Sequence, residues 1–486
     1  MASYPYITRI RRITFWFFVL VFVVTWPLLM LYTFGISIEP DRRKPVVRTG
    51  IVSVESLPGR ADLFVNGKDE KKATPAVIEN LNPGTYSLEL RKEGFESWQA
   101  EVSVFADSVT KVDKAVLLKS ATQKTEGSDA MHNLPAASAS GAVLTAGDYI
   151  LFTGDLPSDF RAYVPEQNTV LTISGASVSY LSRPVKRVEK ADEGRGIFLL
   201  LGDKSVDGVL QLQFGRDAMS LKDVTGEFEQ LPDRIVWYAP YLGTIYSLSG
   251  HTLYATRELA ETGERKVASR IVGTGRVEGT FFYLTHQGDV GQITSLGLHT
   301  EVRTLSSPQA HAAIQEAEAS GEEIRLVFAS RDAVAWLGAG NVLYVESDGG
   351  TYEYPSIAWA LGDSRRNRLV AMQGTRIISI SLEERTVNNG RPQPWECVAW
   401  DNEAASPVPV HHLSSLLVTQ GDRILLVPVL SHVKGAVRTV GSRSAPELYF
   451  YAESSGILTT VNREAGTVRS RQIVDTAGLL NLEPLE

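Results

Sequence analysis

The sequence predicts a mainly β protein in three parts: one N-terminal transmembrane helix, a small β-sandwich and a large C-terminal β-propeller-like domain. Three observations predict it. An uncharged apolar run lies between Arg12 and Glu39. Two-residue alternation punctuated by Gly and Pro turns takes over after residue 50. Short strands carrying an aromatic then recur to the end of the chain. Hydrophobic residues make up 43% of the 486 and charged residues 21%, so most of the remainder has the apolar surface to fold. A formal charge of −8 argues against a nucleic-acid partner, which calls for a basic stripe. The single cysteine, Cys397, excludes an internal disulfide framework.

The first element is ITFWFFVLVFVVTWPLLMLYTFGISI, residues 13–38. A bilayer core needs roughly 20 apolar helical residues, so this run spans with some tilt. Trp16, Trp26 and Tyr32 suit the interfaces, and Pro27 is tolerated because neighbouring groups re-satisfy the bond it removes. Arg9, Arg11 and Arg12 in the short segment 1–12 resemble a secretory n-region, but no small-residue cleavage site follows. The expectation is an uncleaved signal anchor, with the lipid bilayer as partner through residues 13–38. Arg42, Arg43, Lys44 and Arg48 make the far flank equally basic. Orientation therefore rests on the tendency of long domains to translocate whatever their charge. That places the protein in the cell membrane as a single-pass protein, with its C-terminal domains extracytoplasmic. Residues 39–49, with Pro40 and Pro45, read as an extended spacer.

Residues 50–118 read as the β-sandwich. Short strands alternate with turns at Pro58-Gly59, Asn66-Gly67, Asn82-Pro83-Gly84 and Glu93-Gly94, and Asn-Gly favours the positive φ of a two-residue hairpin. The order Pro58-Gly59, Val65-Asn66-Gly67-Lys68, Thr74-Pro75, Leu81 to Tyr86 and Lys92 to Phe95 leading into Trp98 resembles the PEGA domain. The resemblance departs at the name-giving turn, where Arg60 follows Gly59. It implies a compact β module of envelope proteins and no catalytic residues. Tyr86 and Trp98 read as packing residues, and Lys68, Lys71 and Lys72 as a solvated face.

Residues 119–141 are small and polar, a flexible linker in which His132 is idle. From 142 to 486 the aromatic-bearing strands fall at Phe152, Phe198, Trp237, Phe282, Phe328, Trp359, Trp400 and Phe450, near the ~40–45-residue period of a propeller blade. Seven or eight blades follow, with the aromatics on equivalent strands between blades; the structural rival is a stack of β-sandwiches. One helix is expected, capped by Ser307, opened by Pro308 and closed by Gly321.

The chemistry is sparse. His251, His286, His299, His311 and His432 are scattered, and the adjacent His411 and His412 point to opposite faces of a strand. Gly273 to Gly279 has one residue too many for a dinucleotide loop and reads as a turn. Asp203-Lys204-Ser205-Val206-Asp207-Gly208 starts like a calcium loop, but its twelfth position is Phe214, so it reads as a hairpin turn. No catalytic, cofactor-binding or metal residue is assigned, and no cofactor is expected. The reading is a non-catalytic membrane-anchored envelope protein whose propeller binds or scaffolds an envelope protein or polysaccharide. The alternative is a propeller hydrolase or lyase acting on an envelope carbohydrate, which needs acids or histidines converging on the channel. Paired acids in a funnel would favour that alternative, and a flat apolar patch would favour the scaffold.

Overall fold

A computed structural model describes residues 5–33, 36–38, 46–120, 130–133, 142–174, 178–191, 196–257, 264–348, 350–382, 394–400, 405–410, 413–430, 432–435, 437–442, 447–462 and 467–474. The chain divides into two compact units, Met1–Leu117 with Leu430–Ala436, and Leu118–Val429 with Val437–Glu486.

The first unit opens with helix α1, Pro5–Thr33. It takes in the basic segment and stops short of Ile38; Ile36–Ile38 instead forms a strand paired with Val46–Arg48 inside the expected spacer. Isoleucines at 36 and 38 suit a strand, where β-branched side chains keep their rotamers. Along α1, Phe15, Trp16, Phe17, Phe18, Leu20, Phe22, Val23 and Trp26 are all exposed. At 3.6 residues per turn these positions cover every face. Among the described residues no helix is long and apolar enough to cross a membrane.

The sandwich follows. A three-stranded sheet (Ala76–Leu81, Gly50–Leu57, Val109–Val116) faces a five-stranded one. Val52, Val54, Leu63, Leu88, Leu90, Trp98, Val102 and Val112 fill the space between them. Asn66 and Gly67 have φ of 50° and 77°, the hairpin their sequence predicts. Trp98 is buried and Tyr86 packs on the same core, while Lys68, Lys71 and Lys72 are exposed.

The five-stranded sheet contains a strand the sequence does not foretell. Val433–Gly435, far along the chain, pairs antiparallel with Trp98–Val104 in the register Val433↔Val102. Leu430 and Val433 join the sandwich core. The expectation of a module confined to 50–118 is corrected accordingly: its core is completed by 430–436.

The second unit contains six four-stranded sheets and one eight-stranded sheet. The latter is two four-stranded meanders joined by parallel pairing of their first strands, Ile271–Val277 and Ile324–Ala329. In chain order these are blade 1 (143–172), blade 2 (185–223), blade 3 (234–268), blade 4 (271–304), blade 5 (324–354), blade 6 (357–399), blade 7 (405–442) and blade 8 (447–472 with 130–133). First strands lie side by side between blades 2 and 3, 4 and 5, 5 and 6, and 7 and 8, which puts them at the axis. The early strand Ala130–Asn133 is the outer strand of blade 8, paired with Thr467–Gln472. Ile150, Phe152 and Tyr163 of blade 1 pack against Val461 and Val468 of blade 8. Both contacts close a ring, and neither belongs to a stack of sandwiches. The stretch expected as linker therefore holds a structural strand, with His132 in it.

Every large core cluster of the ring lies between two neighbouring blades, because a blade cannot cover both its faces alone. The aromatics serve that packing without strict equivalence. Trp237, Phe328, Trp359 and Phe450 sit on first strands, Phe152, Phe198 and Phe282 on second strands, and Trp400 beyond the last strand of blade 6. The expected equivalence is corrected: either strand can present a large side chain to the next blade. Helix α2, Pro308–Ser320, is inserted between blades 4 and 5, with the Ser307 hydroxyl accepting from the Ala310 amide and Gly321 at φ 72° closing it.

Candidate functional site: a face cleft, an opposite apolar patch and an arginine-lined channel

In a four-stranded meander the turns between strands one and two, and three and four, emerge at one face. The remaining connections emerge at the other. This rule sorts the features of blades 3 and 4.

On one face, the turn after Thr244–Ser249, the turn after Thr280–Thr285, the blade 3–4 connection and the C-terminal end of α2 enclose a cleft of about 680 Å³. Leu248, Ile271, Val272 and Ala317 give it apolar walls, with His251, Arg270 and His286 on one side and Glu318 and Glu322 on the other. His251 Nδ1 lies 3.0 Å from the Ile271 carbonyl oxygen, to which it donates. Arg270 Nη1 lies 3.2 Å from His286 Nε2; since a guanidinium can only donate, that nitrogen is the acceptor. Beside the cleft, Tyr283 and His299 are bonded at 2.5 Å. Burial, with Glu301 and Asp289, pushes the Tyr283 phenol up to about 12, and burial lowers His299.

On the opposite face, Tyr241, Leu242, Leu296 and Leu298 are exposed, Tyr241 to 76% and Leu298 to 60%. Gly297, at φ 73°, lies against the end of Leu242, which ties the two turns into one apolar patch.

The channel is lined by the first strands. Arg234, Arg276 and Arg325 border a cavity of about 240 Å³ with Val236, Phe281 and Leu326. Arg234 Nη1 donates to Glu323 Oε2 at 2.7 Å and its Nε lies 3.6 Å from Glu189 Oε1. Burial works against the Arg234 charge, but Glu323 and Glu189 outweigh it and raise its pKa. For Glu189 burial dominates: it raises the carboxyl pKa against the pull of Arg234, Arg187 and Arg276. Arg276 donates to the Val236 carbonyl at 2.6 Å and to the Lys190 carbonyl, bridging three blades. Arg325 donates to the Ala360 carbonyl at 2.9 Å. Between the cleft and the channel cavity stands the Arg234 side chain, which borders both.

The sequence singled out none of these arginines. One signal was present: Arg187, Arg234, Arg276 and Arg325 recur roughly 40–50 residues apart, the blade period. The motifs of the sequence fall elsewhere. Gly273 to Val277 is not a turn but the first strand of blade 4, and only Glu278-Gly279 turns. A Cβ on Gly275 would lie 2.0 Å from the Leu326 carbonyl oxygen, so the glycine is what lets blade 5 pair there. Asp207 of the loop at 203–208 is bonded to Arg183 at 2.5 Å. His311 is exposed on α2, His432 edges the ring of Phe105 at 4.9 Å, and His411 and His412 lie outside the described residues. Among the described residues no group of three His, Cys, Asp or Glu is arranged to hold a metal.

Fold and sites together define a ring-forming β-propeller-like protein that also carries a small β-sandwich module. Residues 49–118 match the PEGA domain family. No curated protein matches the chain. Among solved structures, a chain of the "Crystal Structure of Mitotic Checkpoint Complex" is 11% identical, with 74% of this chain and 96% of that chain covered and a TM-score of 0.33. The Cps50 (Swd1) β-propeller domain of Myceliophteria thermophila is 9% identical, with 71% and 100% covered and a TM-score of 0.35. The ring itself is defined by its own strand order.

Proposed function

We propose that this chain is a membrane-anchored envelope protein that displays its ring as a non-catalytic binding and scaffold surface. The observation that carries the scaffold role is the patch of Tyr241, Leu242, Leu296 and Leu298. Contiguous exposed apolar surface of this kind marks contact with another macromolecule. The anchor is supported by α1, whose apolar side chains are exposed on every face; a helix apolar all round needs a core or a lipid environment. The partner is an envelope protein or polysaccharide, and the C-terminal domains are extracytoplasmic. The carboxylates at the channel, Glu189 and Glu323, are engaged by arginine, which supports binding over the hydrolase or lyase reading.

The test joins fractionation to crosslinking. The full chain should stay with membranes through alkaline carbonate washing, and external protease should reach its ring in cells whose cytoplasm is sealed. A photo-crosslinking residue at position 298 should give one discrete adduct in cells, lost in a Leu242→Asp background. Release into the soluble fraction would overturn the anchor, and a featureless smear at position 298 would overturn the scaffold surface.

A further inference from the structure

The channel cavity raises a question of charge that the scaffold reading does not answer. Blades 4 and 5 are joined along their first strands in parallel register, with Thr274 opposite Arg325. Residues two apart on a strand share a face, so Arg276 lies on the same face as Thr274 and its partner Arg325. Both side chains border the cavity, Arg276 reaching toward blades 2 and 3 and Arg325 toward blade 6, and Arg234 adds a third arginine to the same lining.

The acids nearby are already engaged. Glu323 is taken up by Arg234 and by the Thr274 hydroxyl. Glu189 is shared among Arg187, Arg234 and Arg276. Among the described residues Arg325 has one hydrogen bond, through Nη2 to a neutral carbonyl, and a guanidinium offers five donors. It remains reachable by water in the channel, yet burial alone pulls its pKa down, with no acid opposing. Val236, Phe281 and Leu326 form the apolar wall behind, and low polarity strengthens any charge pairing in front of them.

We propose that this cavity is an oxyanion site, in which Arg325 and Arg276, backed by Arg234, hold a phosphate or carboxylate group. A planar guanidinium fork matches the paired oxygens of either group. The volume of about 240 Å³ admits a small anion or the charged head of a larger ligand. Gly273 and Gly275 have a part in this arrangement, since they allow the close pairing of the two strands that carry Arg276 and Arg325.

The experiment is calorimetric titration of the purified full chain with inorganic phosphate, with acetate and with chloride at matched ionic strength. Saturable binding of phosphate or acetate, absent with chloride, is expected, and the stronger of the two identifies the source of the oxyanion. Arg325→Gln should weaken that binding about tenfold or more. Arg325→Lys should recover part of it, because it restores charge without the planar fork. Arg423→Gln, an exposed arginine of blade 7, should leave it unchanged. Each variant is checked for a wild-type unfolding midpoint, so that lost binding is not lost folding. Equal heats for all three salts, or undiminished binding in Arg325→Gln, would overturn the proposal. Neither outcome touches the anchor or the apolar patch.

Discussion

Leu430→Ala should destabilise the sandwich unit, although residue 430 lies beyond most of the ring in sequence. The Leu430 side chain is 3% exposed and sits in the core with Leu88, Val102 and Val433. Removing a buried leucine to alanine costs about 2–5 kcal/mol, the spread reflecting how far the cavity collapses. For a domain of this size that lowers the midpoint by roughly 10 °C or more. The strand that follows Leu430 also donates structure to the backbone: the Ser103 amide is bonded to the His432 carbonyl at 2.9 Å. Native-state hydrogen exchange is therefore the sharpest assay. A loss of 2 kcal/mol should speed exchange at Ser103 about 30-fold. Leu88→Ala, fully buried in the same core, serves as the positive control. If Leu88→Ala loosens Ser103 and Leu430→Ala leaves it unchanged, segment 430–436 is not part of that core, and the reasoning fails.

Other outcomes follow from burial and charge. Trp237 is 1% exposed and stacks on Phe281 at 6.3 Å, so Trp237→Ala should cost about 3–5 kcal/mol in urea unfolding; the half-buried Trp400 should cost about 1–2 kcal/mol, and equal costs would refute the ranking. Burial pushes the Cys397 thiol up to about 12, so it should resist disulfide-exchange reagents until the protein unfolds; rapid labelling of the native protein would contradict this. Glu189 has its pKa raised on folding, chiefly by burial, so the unfolded chain ionises first. Relative to Glu189→Gln, the wild type should therefore lose stability as pH climbs from the unfolded value, about 4.3, through the raised folded value; a pH-independent difference would refute it.

Much of the architecture was legible because it rests on local rules. Asn66-Gly67 dictates a hairpin wherever it falls between strands, and Ser307-Pro308 with Gly321 brackets a helix whatever lies beneath it. The ring is legible in its short strands and closely spaced turns, but its aromatics do not mark equivalent places: Trp359 lies on the first strand of blade 6, Trp400 follows the last strand of the same blade, and blade 7 carries none of the eight. Non-local pairing escaped. Ala130–Asn133 looks like linker because its own residues supply little apolar surface, and its strand exists only through Thr467–Gln472. Val433–Gly435 is likewise too short to signal itself and is fixed by the open edge of Trp98–Val104. Both show that an edge strand is specified as much by its partner's unpaired backbone as by its own sequence.

The channel was illegible for a different reason. Motif reasoning looks for residues close in sequence, because helices and tight turns gather near neighbours. A propeller gathers the opposite kind: its first strands collect at one axis residues separated by a blade. Arg187, Arg234, Arg276 and Arg325 are individually ordinary strand residues, and none stands in a recognisable motif. Their shared chemistry emerges only when the blade period is applied to charged residues as it was to aromatics. The glycine pair at 273 and 275 then gains its meaning. It looked like a failed nucleotide loop, and its effect is to bring two first strands into pairing distance. Phase within the blade, rather than spacing within a motif, is what locates chemistry in a ring of this kind.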